Sequence, residues 1–325
     1  MKKILITGGA GFVGRHFCKY FLENGDKVIA VDNLSAFTGC LNPEDGWVSY
    51  KPFDFKNFIF YKNDCRDWFK ENYDNDFDIV LHLAAMVGGR EMIENNPLAV
   101  ADDLSIDSEF WQWATRTKPK KIICFSSSAC YPIKYQSKSQ YVFLKEDMID
   151  FNDDIGVPDL TYGWAKLTCE YLARIAHAKH NLNVVCYRPF SGYGSDQDIN
   201  YPFPSICKRV LENKGKKNIS VWGTGDQMRD FIHISDCVKG VITTMDKIVD
   251  GSAINLSTGK LTSFKQFVKI ASNIIGFNPI VFGTSDKPEG VFARGGDTSL
   301  QADLGFNYSI SFEEGIKNAL ETYSN

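Results

Sequence analysis

The chain has 325 residues, about twice the usual ~150-residue domain, so one large domain or two unequal lobes are expected. Hydrophobic residues make up 44% and charged residues 23%, which excludes a disordered, collagen-like or coiled-coil protein. The net charge of −4 argues against a nucleic-acid partner, because binding nucleic acid requires a basic surface that neutralises phosphates. A small-molecule partner is therefore favoured.

The cysteines and the apolar stretches bear on location. Nine cysteines, an odd number without a C-x-x-C pair, indicate neither a disulfide framework nor a metal site, and they are typical of a reducing compartment. The longest apolar stretch, 79–89, is far shorter than the roughly 20 residues of a membrane span. No export-signal core follows the first lysines. We expect a soluble, cytoplasmic protein with no metal and no membrane contact.

Short apolar runs in the first 190 residues predict buried strands. These runs are 3–6, 27–31, 57–61, 78–83, 121–125 and 183–187. Helical patterns separate them; in the first, Val13, Phe17 and Phe21 recur at spacing four, and Gly25 follows as a helix-ending glycine. This alternation predicts an α/β protein with a Rossmann-type, doubly wound parallel sheet.

The pattern changes after about residue 188. Glycine, proline, aspartate and asparagine become frequent, as in 190–204, and the helical patterns become shorter, as in 263–275. We predict a smaller C-terminal α/β lobe that packs directly on the first domain, because no low-complexity linker separates them. The predicted bounds are 1–188 plus about 229–258 for the first domain, and 189–228 plus 259–325 for the second lobe.

A glycine-rich turn follows the first strand. Thr-Gly-Gly-Ala-Gly-Phe-Val-Gly at 7–14 matches both G-x-x-G-x-x-G and G-x-G-x-x-G. Glycine lets the turn be tight and brings the backbone close to a pyrophosphate, which the N-terminus of the next helix can hold. The turn predicts a dinucleotide site that contains Gly8, Gly11, Phe12, Val13 and Gly14.

Two aspartates at strand ends extend this site. Asp32 lies 18 residues beyond Gly14 at the end of the second strand, where a carboxylate accepts ribose hydroxyls and repels a 2′-phosphate, so NAD is favoured over NADP. Asp64 follows the third strand and either meets the adenine amino group or is an ordinary turn aspartate. The remaining residues expected at the cofactor are Asn33, Cys65, Leu83, Ala84, Ala85, Tyr162, Lys166 and Pro189.

Tyr162 and Lys166 stand four residues apart at the start of a long helical pattern, which places them on one helix face. Tyr141 and Lys145 share the spacing but lie in a polar segment that is typical of a loop, so we favour Tyr162. A phenol that acts as a base must move from a pKa of about 10 toward 7, and an ammonium at ~4 Å contributes on that order.

A serine cluster ends the strand 121–125. Ser126, Ser127 and Ser128 lie at the carboxyl edge of the predicted sheet, where ligands bind in open α/β folds. One of these serines is expected to orient a substrate hydroxyl. An ordinary turn is the alternative.

Six ordered motifs resemble one family. They are T-G-G-x-G-x-x-G at 7–14, H-L-A-A at 82–85, S-S-S-A at 126–129, Y-x-x-x-K at 162–166, R-P-F-x-x-Y-G at 188–194 and R-D-F-I-H-I-x-D at 229–236. Over nearly the whole chain the sequence resembles the extended short-chain dehydrogenases/reductases, the NAD-dependent nucleotide-sugar epimerases and dehydratases. The resemblance implies an NAD lobe, a smaller nucleotide-sugar lobe, and hydride removal from the sugar, usually at C4.

Carried onto this chain, the resemblance implies that Tyr162 is the base and Lys166 its modulator. Two alignments of the serine anchor compete. Matching the strand end selects Ser128, whereas counting four residues back from Tyr131 selects Ser127, and we favour Ser128.

Departures from the family narrow the reaction. The 4,6-dehydratases carry Asp-Glu after the anchor, where this chain has Ala129-Cys130, so dehydration is disfavoured. Residues 86–89 resemble a loop of GDP-fucose synthase and GDP-mannose 3,5-epimerase, which makes Val87, Gly88 and Gly89 substrate contacts.

Those GDP-sugar enzymes move protons at C3 and C5 with a cysteine and with a histidine or lysine from the C-terminal lobe. Cys130 either supplies the cysteine or is an ordinary buried thiol. Tyr201 stands at the second position, so 3,5-epimerisation lacks its second acid.

Arg229 and Arg294 are candidates for the diphosphate and guanine, because a guanidinium binds phosphate oxygens with two hydrogen bonds. Ser191 stands where the family often has an asparagine beside the phosphates. Trp222 either stacks on the base or packs in the core.

The resemblance favours a NAD-dependent C4 dehydrogenase of a GDP-hexose or GDP-heptose, similar to the GDP-mannoheptose C4 oxidoreductases of bacterial capsular polysaccharide pathways. C4 epimerisation is the close alternative; 3,5-epimerisation and 4-keto reduction follow, and a non-catalytic NAD sensor is the remote one. The resemblance also implies a homodimer or dimer of dimers through the Tyr162 helix and a helix at 97–115.

Overall fold

The structure is a computed structural model, and it describes residues 1–35, 38–86, 94–284 and 290–324. The strands are β1 (Lys3–Thr7), β2 (Lys27–Asp32), β3 (Phe58–Lys62), β4 (Ile79–His82), β5 (Ile122–Phe125), β6 (Val184–Pro189), β7 (Ser191–Tyr193), β8 (Asn218–Trp222), β9 (Met228–His233), β10 (Asp250–Leu256), β11 (Leu261–Ser263), β12 (Ile280–Thr284) and β13 (Ala293–Arg294). The helices are α1 (Phe12–Glu23), α2 (Cys65–Glu71), α3 (Ala101–Thr117), α4 (Leu160–His180), α5 (Pro202–Glu212), α6 (Ile234–Thr244), α7 (Phe264–Ile274), α8 (Ser299–Asp303) and α9 (Phe312–Ser324).

Within the described residues, seven strands form one parallel sheet in the order β10-β6-β5-β4-β1-β2-β3. Each of the six predicted strands is present, and its ends differ from the prediction by one or two residues at most. The predicted α/β class with a Rossmann-type sheet is therefore confirmed. The strand that was not predicted, β10, pairs with β6 at one edge of this sheet.

The order of the strands reverses at β1, which pairs with β2 on one side and β4 on the other. Connections from these neighbouring strands leave toward opposite faces of the sheet, so a crevice opens at their carboxyl ends. The glycine turn after β1 and residues 83–85 after β4 both lie at this crevice. The topology of the sheet therefore fixes where a ligand can bind.

Helices cover both faces of the sheet. On one face the core includes Phe17 from α1 and Val241 from α6, and on the other it includes Phe110 and Trp113 from α3 and Cys169 from α4. Burial on both faces explains why the strands are continuous apolar runs rather than alternating ones. Among the helices described, none combines the length and the apolar character that crossing a bilayer requires.

The smaller lobe contains more strand than its sequence predicts. In it β9 pairs with β7, β11 and β13, while β8 pairs with β12. Several of these strands have two or three residues, which is too short to show a period in the sequence. The predicted helix at 263–275 is α7, whose start is fixed by a capping box between Ser263 and Gln266.

Candidate active site

A cavity of about 1650 Å³ lies at the carboxyl ends of the parallel strands and extends into the smaller lobe. It exceeds the roughly 300–1,000 Å³ of a usual single-ligand pocket, so it can hold a cofactor and a substrate side by side. The glycine turn and Asp32 line one end, and Arg229 and Arg294 line the other.

The glycine turn fits a dinucleotide pyrophosphate. Gly8 has a φ of +69°, and a Cβ there would lie 2.8 Å from the backbone nitrogen of Ala84. A Cβ on Gly14 would lie 2.2 Å from the carbonyl oxygen of Gly8, so α1 packs on the turn only with glycine here. Gly11 precedes α1 without a side-chain cap, and Phe12 and Val13 line the cavity with it. The first-turn N–H groups and the helix dipole are thus available to an anion.

Asp32 ends β2 at the wall of the cavity, with a side chain that is 6% exposed. One carboxylate oxygen accepts the Ala10 N–H at 3.0 Å and the other accepts the Leu34 N–H at 2.8 Å. Burial raises the pKa of Asp32, and these hydrogen bonds oppose the rise. The carboxylate lies at the cavity wall, where its remaining acceptor capacity is available to ribose hydroxyls. Cys40, whose sulfur lies 3.6 Å from the carboxylate, also lines the cavity and was not found from the sequence.

Asp64 already has hydrogen-bond partners within the protein. It caps α2 by accepting the Arg66 N–H at 2.9 Å, and its second oxygen accepts the Arg66 guanidinium at 2.7 Å. These hydrogen bonds lower the pKa of Asp64. Although Asp64 lines the cavity, its carboxylate is already bonded, which fits the alternative of an ordinary capping aspartate.

Most of the predicted cofactor residues are brought together by the fold. The cavity is lined by Gly8, Gly11, Phe12, Val13, Gly14, Asp32, Asn33, Asp64, Cys65, Leu83, Ala84, Ala85, Tyr162 and Pro189. Lys166 lies behind this wall, one helical turn after Tyr162. Together the turn, the carboxylate and the cavity fit NAD.

Tyr162 lies in the first turn of α4 and lines the cavity, whereas Tyr141 is 44% exposed in the predicted loop. The ammonium of Lys166 lies 5.8 Å from the Tyr162 ring centroid. Burial raises the pKa of Tyr162, while Lys166 and a hydrogen bond with Ser127 lower it, and the net pKa is above the usual value. Lys166 therefore offsets part of the effect of burial on this phenol.

The serines differ in what they contact. The Ser127 hydroxyl lies close enough to Tyr162 to lower the pKa of its phenol, and it accepts the Ala129 N–H at 3.1 Å. Ser126 points into the protein and donates to Glu170. Ser128 also lines the cavity, but Ser127 is the serine that acts on the Tyr162 phenol, which favours the second of the two alignments.

Cys130 is fully buried below the serine turn, with its sulfur 3.0 Å from the Ser126 hydroxyl. It is not among the residues that line the described cavity. Burial and the nearby Glu170 raise the pKa of its thiol. Cys130 thus fits the ordinary buried thiol rather than an acid that reaches a sugar.

Both predicted arginines line the far end of the cavity. Arg294 donates to Gln136 and to Asp159, each at 2.7 Å, so it ties the smaller lobe to the residue that precedes α4. Arg229 donates to two backbone carbonyls, at 2.8 and 2.9 Å. A guanidinium has five N–H donors, and Arg294 uses two of them in these bonds.

Polar, aromatic and charged side chains line the rest of the far end of the cavity. Ser191 and Tyr201 line the cavity, as does Trp222, which is 41% exposed and so is not a core residue. Burial raises the pKa of Tyr201, so it is a poor acid at neutral pH. Arg209 and Phe264 also line this end, and no motif in the sequence marked them. The predicted contacts Val87, Gly88 and Gly89 lie outside the described residues.

A Rossmann-type sheet with a glycine turn, a strand-end aspartate and a Tyr-x-x-x-Lys helix beside a second lobe defines the extended short-chain dehydrogenase/reductase class. The model of the NAD dependent epimerase/dehydratase family matches residues 4–257, and the chain belongs to that family. It is therefore an NAD-dependent enzyme, with NAD as its cofactor.

Individual relatives differ in their named reactions. The chain is 28% identical to the UDP-glucuronate 4-epimerase of Thermodesulfobacterium geofontis over 97% of this chain and 94% of that protein. It is 23% identical to the GDP-L-colitose synthase of Yersinia pseudotuberculosis over 99% and 98%. A crystal structure of UDP-glucose 4-epimerase from Thermotoga maritima with UDP-glucose superposes with a TM-score of 0.83 at 24% identity, covering 99% of this chain and 98% of that one. That likeness shows the fold.

Proposed function

We propose that this enzyme oxidises C4 of a nucleotide-diphosphate sugar with NAD. The observation that carries the proposal is that Tyr162 and Ser127 line a cavity that also contains a turn that fits a pyrophosphate and two arginines, with Lys166 directly behind Tyr162. An alcohol is oxidised when a base removes its proton as hydride leaves its carbon. The site presents a base where a sugar and a nicotinamide can meet.

Each residue of the site has a separate role in this oxidation. Bound NAD supplies the hydride acceptor. Tyr162 takes the proton of the C4 hydroxyl, which Ser127 orients by a hydrogen bond. Lys166 stabilises the phenolate form of Tyr162 that accepts this proton, because its charge lies against the same ring. Arg229 and Arg294 hold the diphosphate, which places the sugar beside Tyr162.

The residues around the serine turn limit which reaction can follow the oxidation at C4. Ala129 and Cys130 supply no acid–base pair for eliminating water. The buried Cys130 thiol and the high pKa of Tyr201 offer no good acids for C3 and C5. The 4-keto sugar is then either released, as in a dehydrogenase, or reduced on its other face, as in a C4 epimerase.

We favour release of a 4-keto product from a GDP-hexose or GDP-heptose, on the likeness of 86–89 to GDP-sugar enzymes. The relatives named as 4-epimerases support the second candidate, in which NAD is regenerated within each turnover.

Mass spectrometry, coupled to chromatography that resolves sugar epimers, separates the candidates. The enzyme is incubated in deuterated water with GDP-mannose, a GDP-heptose, UDP-glucose and UDP-glucuronate. Loss of two mass units with equimolar NADH indicates the dehydrogenase, and an unchanged formula with a new sugar epimer and no deuterium indicates the C4 epimerase. Deuterium at C3 or C5 indicates 3,5-epimerisation. Loss of water from the product contradicts oxidation at C4 as the complete function. So does an enzyme that acts on none of the four nucleotide sugars.

We also propose that the enzyme is a homodimer. Four apolar side chains on the packed helices α3 and α4 are between 36% and 47% exposed: Leu104, Trp164, Tyr171 and Ile175. Burying them against the same helices of a second copy would remove this apolar surface from water. Sedimentation equilibrium is expected to show a dimer, and a concentration-independent monomer would contradict this.

A further inference from the structure

We propose that Asp103 is a positioning residue that holds the ammonium of Lys166 and shares its charge with Tyr162, and so sets the pH range in which Tyr162 acts as a base. This inference rests on the proposed role of Tyr162. Asp103 stands on α3, outside the sequence motifs, and no resemblance pointed to it.

The geometry places a buried carboxylate beside the lysine. One oxygen of Asp103 lies 3.9 Å from the Lys166 nitrogen, and the two side chains are 2% and 9% exposed. The other oxygen accepts the backbone N–H of Met86, at the end of the segment that follows β4. The oxygen that faces Lys166 is buried and has no hydrogen bond. A buried carboxylate oxygen is costly without a partner, so the charge of Lys166 is what balances it.

Other ionisable groups near this pair are Asp102 and Asp107 on α3, His82 on β4, Cys169 on α4, Cys130 in the serine turn and Tyr201 before α5. Asp107 is bonded by His82 at 3.1 Å, and the other nitrogen of His82 meets Thr7 at 2.9 Å. Burial lowers the pKa of His82, so its ring is neutral at pH 7. Among these groups Lys166 is the cation that faces Asp103.

The two charges act on Tyr162 in opposite directions. Lys166 lowers the pKa of the phenol, and Asp103 raises it. Burial would lower the pKa of Lys166, but Asp103 and Tyr162 outweigh it and raise that pKa. Burial raises the pKa of Asp103 to about 6, although Lys166 opposes the rise. Above pH 6, Asp103 is ionised and offsets part of the lysine charge.

Removing the carboxylate charge should therefore make Tyr162 more acidic. For a unit charge several ångströms away in a partly screened site, the expected shift is about one pH unit. Asp103→Asn removes the charge and keeps the shape, and Asp103→Glu keeps the charge. Asp102→Asn is the matched control, because it removes a charge from the adjacent residue, whose side chain is 55% exposed.

The test is an NMR titration of protein labelled with ¹³C at the tyrosine ζ carbon, in which Tyr162→Phe assigns the signal. Asp103→Asn is expected to lower the pKa of Tyr162 by about one unit, while Asp103→Glu and Asp102→Asn leave it within about 0.3 unit. An unchanged pKa in Asp103→Asn overturns the proposal, and so does an equal shift in Asp102→Asn.

A second titration covers the case in which Asp103→Asn does not fold. The carboxyl carbon of Asp103 is followed in the wild-type protein and in Lys166→Gln. If Lys166 balances the charge of Asp103, the pKa of Asp103 rises by about one unit or more in Lys166→Gln. An unchanged pKa overturns the inference.

Activity gives an independent readout. In Asp103→Asn the acid limb of the kcat profile should move to lower pH by the same amount as the NMR pKa, with KM for the sugar unchanged. If the NMR shift is present but no nucleotide sugar is oxidised, the proposed function fails and the electrostatic inference stands. If turnover is present and the limb does not move, the inference fails alone.

Discussion

The two ends of the cavity are built in different ways. The cofactor end is made mostly of backbone from one continuous turn, 7–14, and its aspartate is held by two backbone N–H groups. The end that we propose binds the substrate is made of side chains from several distant segments, and its arginines already bond protein groups. A backbone turn admits little variation, whereas scattered side chains can change one at a time. The amino-acid sequence therefore predicts the cofactor, but it does not predict which sugar is bound.

The largest effect is expected between the two ends, at Tyr162. Tyr162→Phe removes the base without altering either binding end, so turnover should fall about 10³-fold while NAD affinity stays within twofold. Steady-state rates and a fluorescence titration with NADH measure both. Tyr141→Phe, which alters the other Tyr-x-x-x-Lys pair in an exposed loop, should retain full activity. Comparable turnover in the two variants would show that Tyr162 is not the base.

At the cofactor end, Asp32→Ala should weaken NAD binding by about 10–100-fold and remove most discrimination against NADP. The reason is that the variant loses two charge-assisted hydrogen bonds to ribose and the repulsion of a 2′-phosphate. Dissociation constants for NADH and NADPH measure the change. Asp64→Ala should leave their ratio unaltered and destabilise α2 by about 1 kcal/mol, because Asp64 acts as a cap. An equal and large loss of affinity for NADH and NADPH in Asp64→Ala would restore its predicted adenine contact, because both cofactors carry the same adenine.

At the substrate end, Arg294→Met should raise KM for the nucleotide sugar by about 10–100-fold, which is the usual worth of charge-assisted hydrogen bonds. NAD affinity should not change, because the arginine lies at the other end of the cavity. Asp159→Asn keeps the guanidinium and weakens its 2.7 Å ion pair, so its effect on KM should be smaller. If Asp159→Asn has the larger effect, Arg294 serves mainly to tie the lobes together.

The smallest effect is expected at Cys130, which belongs to neither end. Cys130→Ser should keep kcat within twofold, since the thiol is buried away from the cavity. The new hydroxyl lies in a packed site, so the free energy of unfolding should fall by about 1–2 kcal/mol. Thermal unfolding and rate measurements check both. A large loss of kcat with unchanged stability would show that Cys130 takes part in catalysis and would support 3,5-epimerisation.

The sequence by itself determined the parallel sheet, the glycine turn and the position of Asp32. Apolar runs that are buried on both faces identify strands, and the residues of the turn are neighbours along the chain, so their geometry is local. The pair of Tyr162 and Lys166 was found for the same reason, because one helical turn places them on one face.

Only the tertiary structure distinguished Ser127 from Ser128 and showed that Cys130 is buried. Only the tertiary structure, too, showed that the Arg66 guanidinium bonds the Asp64 carboxylate and that Asp103 faces Lys166. The choice between Ser127 and Ser128 depends on where side chains point within a single turn. The contact between Asp103 and Lys166 depends on how α3 packs on α4. Neither quantity has a period or a spacing along the chain, because each is set by elements that meet only after the sheet has formed.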